Sequence, residues 1–411
     1  MFDYYNKTLH VEGVSLRSLA DKAGTPLYVY SRTKIIENFS NFDKAFSKFP
    51  HLICFAMKAN SNLSIIRTLA KEGAGTDIVS GGELYRALKA GVSPKKIVFS
   101  GVGKTREEMR YALRSGILMF NVESVEELEA LNDVAEDMDR KAPIALRVNP
   151  DVEADTHHHI TTGKAENKFG IHKSIIIDVY RKASALRNIS VLGLQAHIGS
   201  QITAVKPFET LIGVLLDMVD KLRHQGIALQ YLDMGGGLGI TYNKEAPPSP
   251  FRLAEALEPH LRGRDITLLF EPGRFLVGEA GALITKVLYR KKSGHKTFVI
   301  VDAAMNDLAR PALYDAYHEI VPVAQHRGRS KEVVDVVGPI CESGDYLARA
   351  RTIEFPEQGD LLAVKGAGAY GFAMSSQYNS RPRAAEILVS GKKWQVVRKR
   401  ETLEDITRGE R

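Results

Sequence analysis

A chain of 411 residues, 44% hydrophobic and 26% charged, has ordinary globular composition, which excludes a disordered chain, a collagen-like repeat and a coiled coil and suits one large domain with a smaller one. The formal charge is +7, from 56 basic and 49 acidic residues, with no run of five like charges. That argues against nucleic acid as a partner and leaves a weak pull on anionic metabolites.

The first 20 residues show no apolar core preceded by positive charge, so no signal peptide is expected. Pro26–Tyr30 follows as a strand candidate whose pairing partner the sequence leaves open. From there short apolar runs alternate with longer amphipathic ones. The strand candidates are His51–Ala56, Thr76–Val79, Ile97–Ser100, Ile117–Asn121, Ile144–Val148, Val191–Ala196, Leu229–Asp233 and Thr267–Phe270. Between them helical periodicity covers Leu63–Lys71, Gly82–Ala90, Arg106–Arg114, Ser124–Asp137, Lys173–Ala185, Phe208–Gln225 and Phe251–Leu261. Ser124 with Glu127 has the spacing of a capping box. Eight regular units favour a closed (β/α)8 barrel of the TIM type over residues 30–275, although a doubly wound open sheet gives the same alternation. After Pro272 the runs Gly281–Tyr289, Thr297–Val301, Glu332–Val337, Asp360–Val364 and Glu386–Val389 are short, β-branched and broken by Gly, Pro or Asp. They predict a mostly β domain over 276–411, joined by segment 1–29. The last stretch, Lys392–Arg411, carries seven Lys/Arg among four Asp/Glu and reads as a solvated, frayed terminus.

The unusual polar residues fall where the predicted strands end. Lys58 follows the first, Arg147 and Asn149 close the fifth, His197 ends the sixth, Gly235-Gly236-Gly237 follow the seventh, and Glu271-Pro272-Gly273-Arg274 end the eighth; Asp77 lies in the second. In a barrel these ends share one rim, where active sites are built. A lysine behind an apolar strand is a candidate for desolvation and Schiff-base chemistry. Consecutive glycines suit a backbone phosphate cradle, since amides must approach the ligand closely; the dinucleotide fingerprint fails at Ile240. Taken singly, Lys58 reads as a surface charge, His197 as a core histidine, Glu271 as an ion-pair partner of Arg274, and the glycines as a turn. Together a lysine, a flat imidazole, a phosphate cradle and a carboxylate for a pyridine nitrogen match the needs of pyridoxal 5′-phosphate. His157-His158-His159 lack the companion ligands of a metal site, and no metal is expected. The uncharged stretch Asn188–Val205 holds His197, Gln195 and Gln201 and is no membrane span. Cys54 and Cys341 form no disulfide framework, which suits the cytoplasm.

Phe55–Asn60, Asp77–Leu84, His197–Gln201, Gly235–Gly237, Glu271–Arg274 and Gly338–Asp345 resemble the fold-type III pyridoxal-phosphate decarboxylases. More narrowly, the diaminopimelate branch is resembled in Thr161–Lys164 with Lys168–Gly170, in Met305–Asp307 with Arg310–Tyr314, and in Cys341–Asp345. The resemblance implies that Lys58 carries the cofactor, His197 stacks on its ring, and Glu271 faces its nitrogen. Ser200, Gly235, Gly236 and Gly237 bind its phosphate, helped by Gly273 and Arg274, while Tyr370 closes over it. It implies that Cys341, delivered from the neighbouring subunit of a homodimer, is the proton donor. Arg274, Arg310, Tyr314, Glu342 and Tyr370 would bind an amino-acid substrate. The implied reaction is decarboxylation of meso-diaminopimelate at its D centre to L-lysine, the last step of lysine biosynthesis. An ornithine, arginine or D-amino-acid decarboxylase, a racemase, or a non-catalytic cofactor carrier are the alternatives. Gln377 departs from the pattern, where Asn is expected, and is expected to sit away from the catalytic motifs.

Overall fold

The computed structural model describes residues 1–152, 168–326 and 328–410, so His157–His159 and Thr161–Lys164 lie outside the described residues. The chain forms two compact units. One comprises Asn38–Ile240 and Ala246–Phe275; the other comprises Met1–Glu37, Thr241–Glu245 and Leu276–Arg411.

In the first unit eight parallel strands close on themselves: His51–Ala56, Gly75–Ile78, Ile97–Phe99, Met119–Val122, Ala142–Asn149, Ile189–Gln195, Tyr231–Asp233 and Thr267–Phe270. The eighth returns to the first, with Leu268 opposite His51 and Phe270 opposite Ile53. The strands are almost wholly buried, as parallel strands covered on both faces must be. Closure also shows in the core. Cys54, Val98, Met119, Ala145 and Leu269 form one buried cluster, and strands one, four and five can meet there only across a barrel interior. The open sheet is therefore excluded.

Helices connect the strands, and their starts are written in the sequence. Asn62, Ser80, Ser124 and Ser249 each accept a hydrogen bond from a first-turn amide. The reciprocal capping box forms at Thr105 and Glu108. At Ser124 only half of the expected box forms. The Glu127 carboxylate accepts instead from the Glu123 N–H at 3.1 Å and from buried Lys104 at 2.7 Å. A desolvated ammonium without a carboxylate costs more than an uncapped amide, so the ion pair wins.

The second unit is mostly β. Leu27–Ser31 runs antiparallel to Gly281–Ser293 and parallel to Ala385–Ser390, which resolves its open pairing. Gly281–Ser293 pairs at its start with Leu361–Lys365 and at its end with Lys296–Val301. Lys331–Val337 and Tyr346–Glu354 extend that edge. Leu9, Leu16, Leu27, Ile284, Val323 and Ile387 belong to its core. Periodicity missed Tyr346–Glu354, where arginines break the apolar pattern, and the small sheet of Phe2–Tyr5, Thr8–Val11 and Val14–Ser15. The expectation of a frayed end is also corrected: Lys393–Arg398 pairs antiparallel with Ala385–Ser390, and Leu403–Thr407 is a helix with a capping box at Thr402 and Asp405. The edge strand needed few apolar residues because only one face is covered. No helix among the described residues is long and apolar enough to cross a membrane.

Candidate active site

Lys58 sits on the tight turn Met57–Ala59 that ends strand one. Its Nζ lies 2.5 Å from Asp77 Oδ2, and its side chain is 39% exposed whereas that of Asp77 is fully buried. The expected desolvation is therefore corrected. An adjoining carboxylate, rather than an apolar wall, holds this nitrogen.

Two further acids, Glu271 and Asp233, are buried with Asp77 among the described residues of the barrel. Glu271, at the end of strand eight, accepts from Asn121 Nδ2 at 3.1 Å and from Gln195 Nε2 at 3.3 Å. Asp233 accepts from the Gly235 N–H at 2.9 Å. Burial first, then the Asp233 and Asp77 charges, pushes Glu271 well above the usual carboxyl range. Burial also pushes Asp233 up to about 6. Acceptors outnumber donors here: Asp77 Oδ1, Asn121 Oδ1 and Gln195 Oε1 are buried without a hydrogen-bond partner among the described residues. Such a site is short of one cationic donor, and a protonated pyridine nitrogen is one.

These raised values carry a sign. The folded chain without cofactor keeps protons that the unfolded chain has lost above about pH 4. The associated stability is complete below that pH and is lost as pH rises through the folded value near 6. Asp233→Asn keeps the oxygen that accepts from Gly235 and removes the charge. Thermal melts of the cofactor-free protein should show this variant gaining ~1–3 kcal/mol on the parent between pH 5 and pH 7. Parallel pH dependences for the two proteins would refute the assignment.

His197 follows strand six and is half-buried. Its Nδ1 accepts from the Gly236 N–H at 3.2 Å, which leaves the proton on Nε2. Burial, then the Arg147 and Lys58 charges, drives its pKa well below the ordinary value, so the ring is neutral and flat-faced. Gly235 and Gly237 have φ of 64° and 113°. A Cβ at Gly235, Gly236 or Gly237 would stand 2.6, 2.3 or 2.6 Å from the carbonyl oxygen of Ala196, Glu271 or Gly199 respectively. The run thus ties the ends of strands six, seven and eight together. Two of its amides are spent on Asp233 and His197, while the Gly237 N–H has no partner among the described residues. Beside it Arg274 Nη2 donates to Ser200 Oγ at 3.0 Å. Gly273 packs against the Lys58 turn, where a Cβ would meet that of Ala59 at 3.0 Å. A backbone amide, a hydroxyl and a guanidinium suit a phosphate.

The remaining expected residues belong to the β unit. Arg310 opens the short helix Arg310–Tyr314, which also carries half-buried Tyr314. Arg310 is buried, stacks over the Tyr242 ring at 4.5 Å, and donates to His318 Nε2 at 2.9 Å. His318 Nδ1 in turn donates to the Lys365 carbonyl at 2.9 Å, which fixes the tautomer. Cys341 and Glu342 are exposed, whereas Cys54 is buried and its thiol is pushed up by burial. Tyr370 holds a φ of 55°, uncommon for an aromatic residue and frequent where a side chain must be aimed. Asp233, Asn121, Gln195 and Ser100 were not among the expected site residues. Their signal was present: each is a polar residue at or beside the end of an apolar strand.

Residues 32–278 match the family described as pyridoxal-dependent decarboxylase, pyridoxal binding domain. The diaminopimelate decarboxylase of Pseudomonas aeruginosa is 52% identical, covering 100% of this chain and 98% of its own. That of Vibrio cholerae is 51% identical, covering 98% of each. The structure of the Helicobacter pylori diaminopimelate decarboxylase complexed with L-lysine superposes with a TM-score of 0.92 at 42% identity, over 95% of this chain and 98% of that one. The M. jannaschii diaminopimelate decarboxylase in complex with L-lysine gives 0.95 at 38% identity, over 99% and 97%.

Proposed function

The chain belongs to the diaminopimelate decarboxylases, a branch of the pyridoxal-dependent decarboxylases, and from that membership we propose that it is the carboxy-lyase that converts meso-diaminopimelate, at its D centre, to L-lysine and carbon dioxide. The observation that carries this reading is the barrel rim: a carboxylate-paired lysine, a neutral imidazole, an anion cradle and an acid cluster short of one cation.

The residues divide the work as follows. Lys58 would hold pyridoxal 5′-phosphate covalently, with Asp77 keeping Nζ in place. His197 would pack on the ring face, and Glu271 would pair with the ring nitrogen. Ser200, Gly235, Gly236, Gly237, Gly273 and Arg274 would line the phosphate, with the Gly237 amide as a direct donor. When bound, the cofactor supplies an electron sink for the pair left by the departing carboxylate. Cys341 would hold the proton destined for the α-carbon, and Tyr370 would exclude water.

The far end of the substrate carries both an ammonium and a carboxylate. Arg274 and Arg310 would meet the second and Glu342 the first, and Tyr314 would also bind the substrate. An ornithine-type pocket needs the anion alone and would give these arginines no substrate carboxylate to meet. Exposed Cys341 and Glu342 support a homodimer in which each β unit completes its neighbour's site. The two thiols, neither in a disulfide, support a cytoplasmic location.

Carbon dioxide release from a panel of amino acids tests the reading. Turnover should be confined to meso-diaminopimelate, with L-lysine and L-ornithine barely used. Glu342→Gln keeps the oxygen that accepts from the Gly344 N–H at 3.2 Å and removes the charge. It should lower kcat/KM by roughly 10 to 100-fold, the worth of a charge-assisted hydrogen bond. A parent enzyme that decarboxylates ornithine or arginine equally well would replace this pocket with an ornithine-type one.

A further inference from the structure

The loop that carries Cys341 is built from short hydrogen bonds. Asp345 accepts from the Ile340 N–H at 2.8 Å and from the Met305 N–H at 2.7 Å. The Glu342 N–H donates to the Ile340 carbonyl, and Gly344 donates back to Glu342. These bonds close the loop on itself on either side of Cys341. The backbone N–H of Cys341 itself is bound from outside the loop: it donates to Asn379 Oδ1 at 2.8 Å.

Asn379 is suited to this by its backbone. Its φ is 54° and that of Ser380 is 55°, two successive left-handed residues in a tight turn. Asn tolerates that conformation better than most residues. The turn closes through the Ser380 N–H to the Gln377 carbonyl at 2.8 Å. Ser376 anchors its other side, exchanging hydrogen bonds with Asn306 through its N–H at 2.9 Å and its carbonyl at 3.3 Å.

Gln377 carries the turn to the C-terminal segment. Its Nε2 donates to Glu401 Oε2 at 2.9 Å. The same carboxylate takes the Arg383 backbone N–H at 2.9 Å and Arg383 Nε at 2.7 Å. Against the upward push of partial burial, these bonds lower Glu401 to about 2. Asn in place of Gln377 would be one methylene shorter and would lose reach to Glu401. The departure at Gln377, remote from Cys341 in sequence, is therefore close to it in structure, which corrects the expectation that it lies away from the catalytic motifs.

We propose that Asn379, anchored through Gln377 to Glu401, is a positioning residue for Cys341: it fixes the peptide from which the thiol projects and so sets where the proton is delivered. This rests on the reading of Cys341 as the proton donor. The thiol itself allows the two claims to be tested apart. Cys54 is buried, so iodoacetamide reports on Cys341 in the native holoenzyme.

Three variants of the holoenzyme decide the matter. Asn379→Gly keeps the left-handed backbone and removes the acceptor. Asn379→Asp keeps both. Gln377→Ala removes the anchor alone. Asn379→Gly should lower kcat roughly 3 to 10-fold, the range of a single hydrogen bond, with KM for meso-diaminopimelate within about twofold and cofactor absorbance unchanged. Its Cys341 alkylation rate should shift by a similar factor. Asn379→Asp should restore both readouts, and Gln377→Ala should move both in the same direction by less. Parental kcat and alkylation rate in Asn379→Gly would overturn the proposal. Failure of Asn379→Asp to restore them would do the same, and parental behaviour of Gln377→Ala would remove the anchor from it. If Cys341→Ala, measured alongside, kept full activity, the proton-donor reading would fall. The alkylation rates would then still decide whether Asn379 orders the loop.

Discussion

Lys58→Ala should lower turnover by at least ~10³-fold, the scale on which loss of a covalent group acts, and should abolish the yellow colour of the purified protein. Borohydride reduction of the parent should leave a pyridoxyl label on the peptide containing Lys58 and nowhere else. The structure sharpens this expectation. The side chain is 39% exposed and lies 2.5 Å from Asp77 Oδ2, so the cofactor can reach the nitrogen without displacing a packed core. Lys58→Arg keeps the ion pair with Asp77 and should be as inactive as the alanine variant, because a guanidinium stays protonated. Label on any other lysine would move the site elsewhere on the chain.

In the proposed homodimer, Lys58→Ala and Cys341→Ala proteins should each be nearly inactive, and mixing them should restore activity. After random exchange about half the dimers are hybrids, and each hybrid has one of its two sites with both residues intact. Recovery should therefore approach about a quarter of the parental rate. The physical ground is that Lys58 belongs to the barrel, whereas Cys341 and Glu342 are exposed on the β unit. No recovery despite demonstrated exchange, for instance by mass spectrometry of isotopically distinct subunits, would put Cys341 in its own chain's site.

Much of this architecture is legible in the sequence. Parallel strands buried on both faces read as apolar runs, and their spacing predicted the barrel. Strand ends were legible as well, because Lys58, His197 and Glu271 interrupt apolar texture abruptly. Less legible was whatever depends on partners distant in sequence. In sequence Lys58 is a lysine against an apolar wall; the carboxylate it meets, Asp77, lies on the next strand, where spacing alone assigns it no role. The glycine run read as three free amides, yet Gly235 and Gly236 spend theirs on Asp233 and His197.

Local propensity and periodicity suffice for the alternation of strands and helices, the helix starts near Leu63, Gly82 and Arg106, the cap at Ser124, and the residue types gathered on one rim. Only the tertiary structure decided the protonation of the site. Asp77, Asp233 and Glu271 come from three strands, and only barrel closure buries Asp233 and Glu271 beside Asp77, where burial raises both and the Asp77 charge adds to each. Tertiary structure likewise ordered the charged C-terminal stretch, where Glu401 finds Arg383 and Gln377. Charge patterning alone reads such a stretch as solvated, because an ion pair across a turn leaves no periodic trace in the sequence.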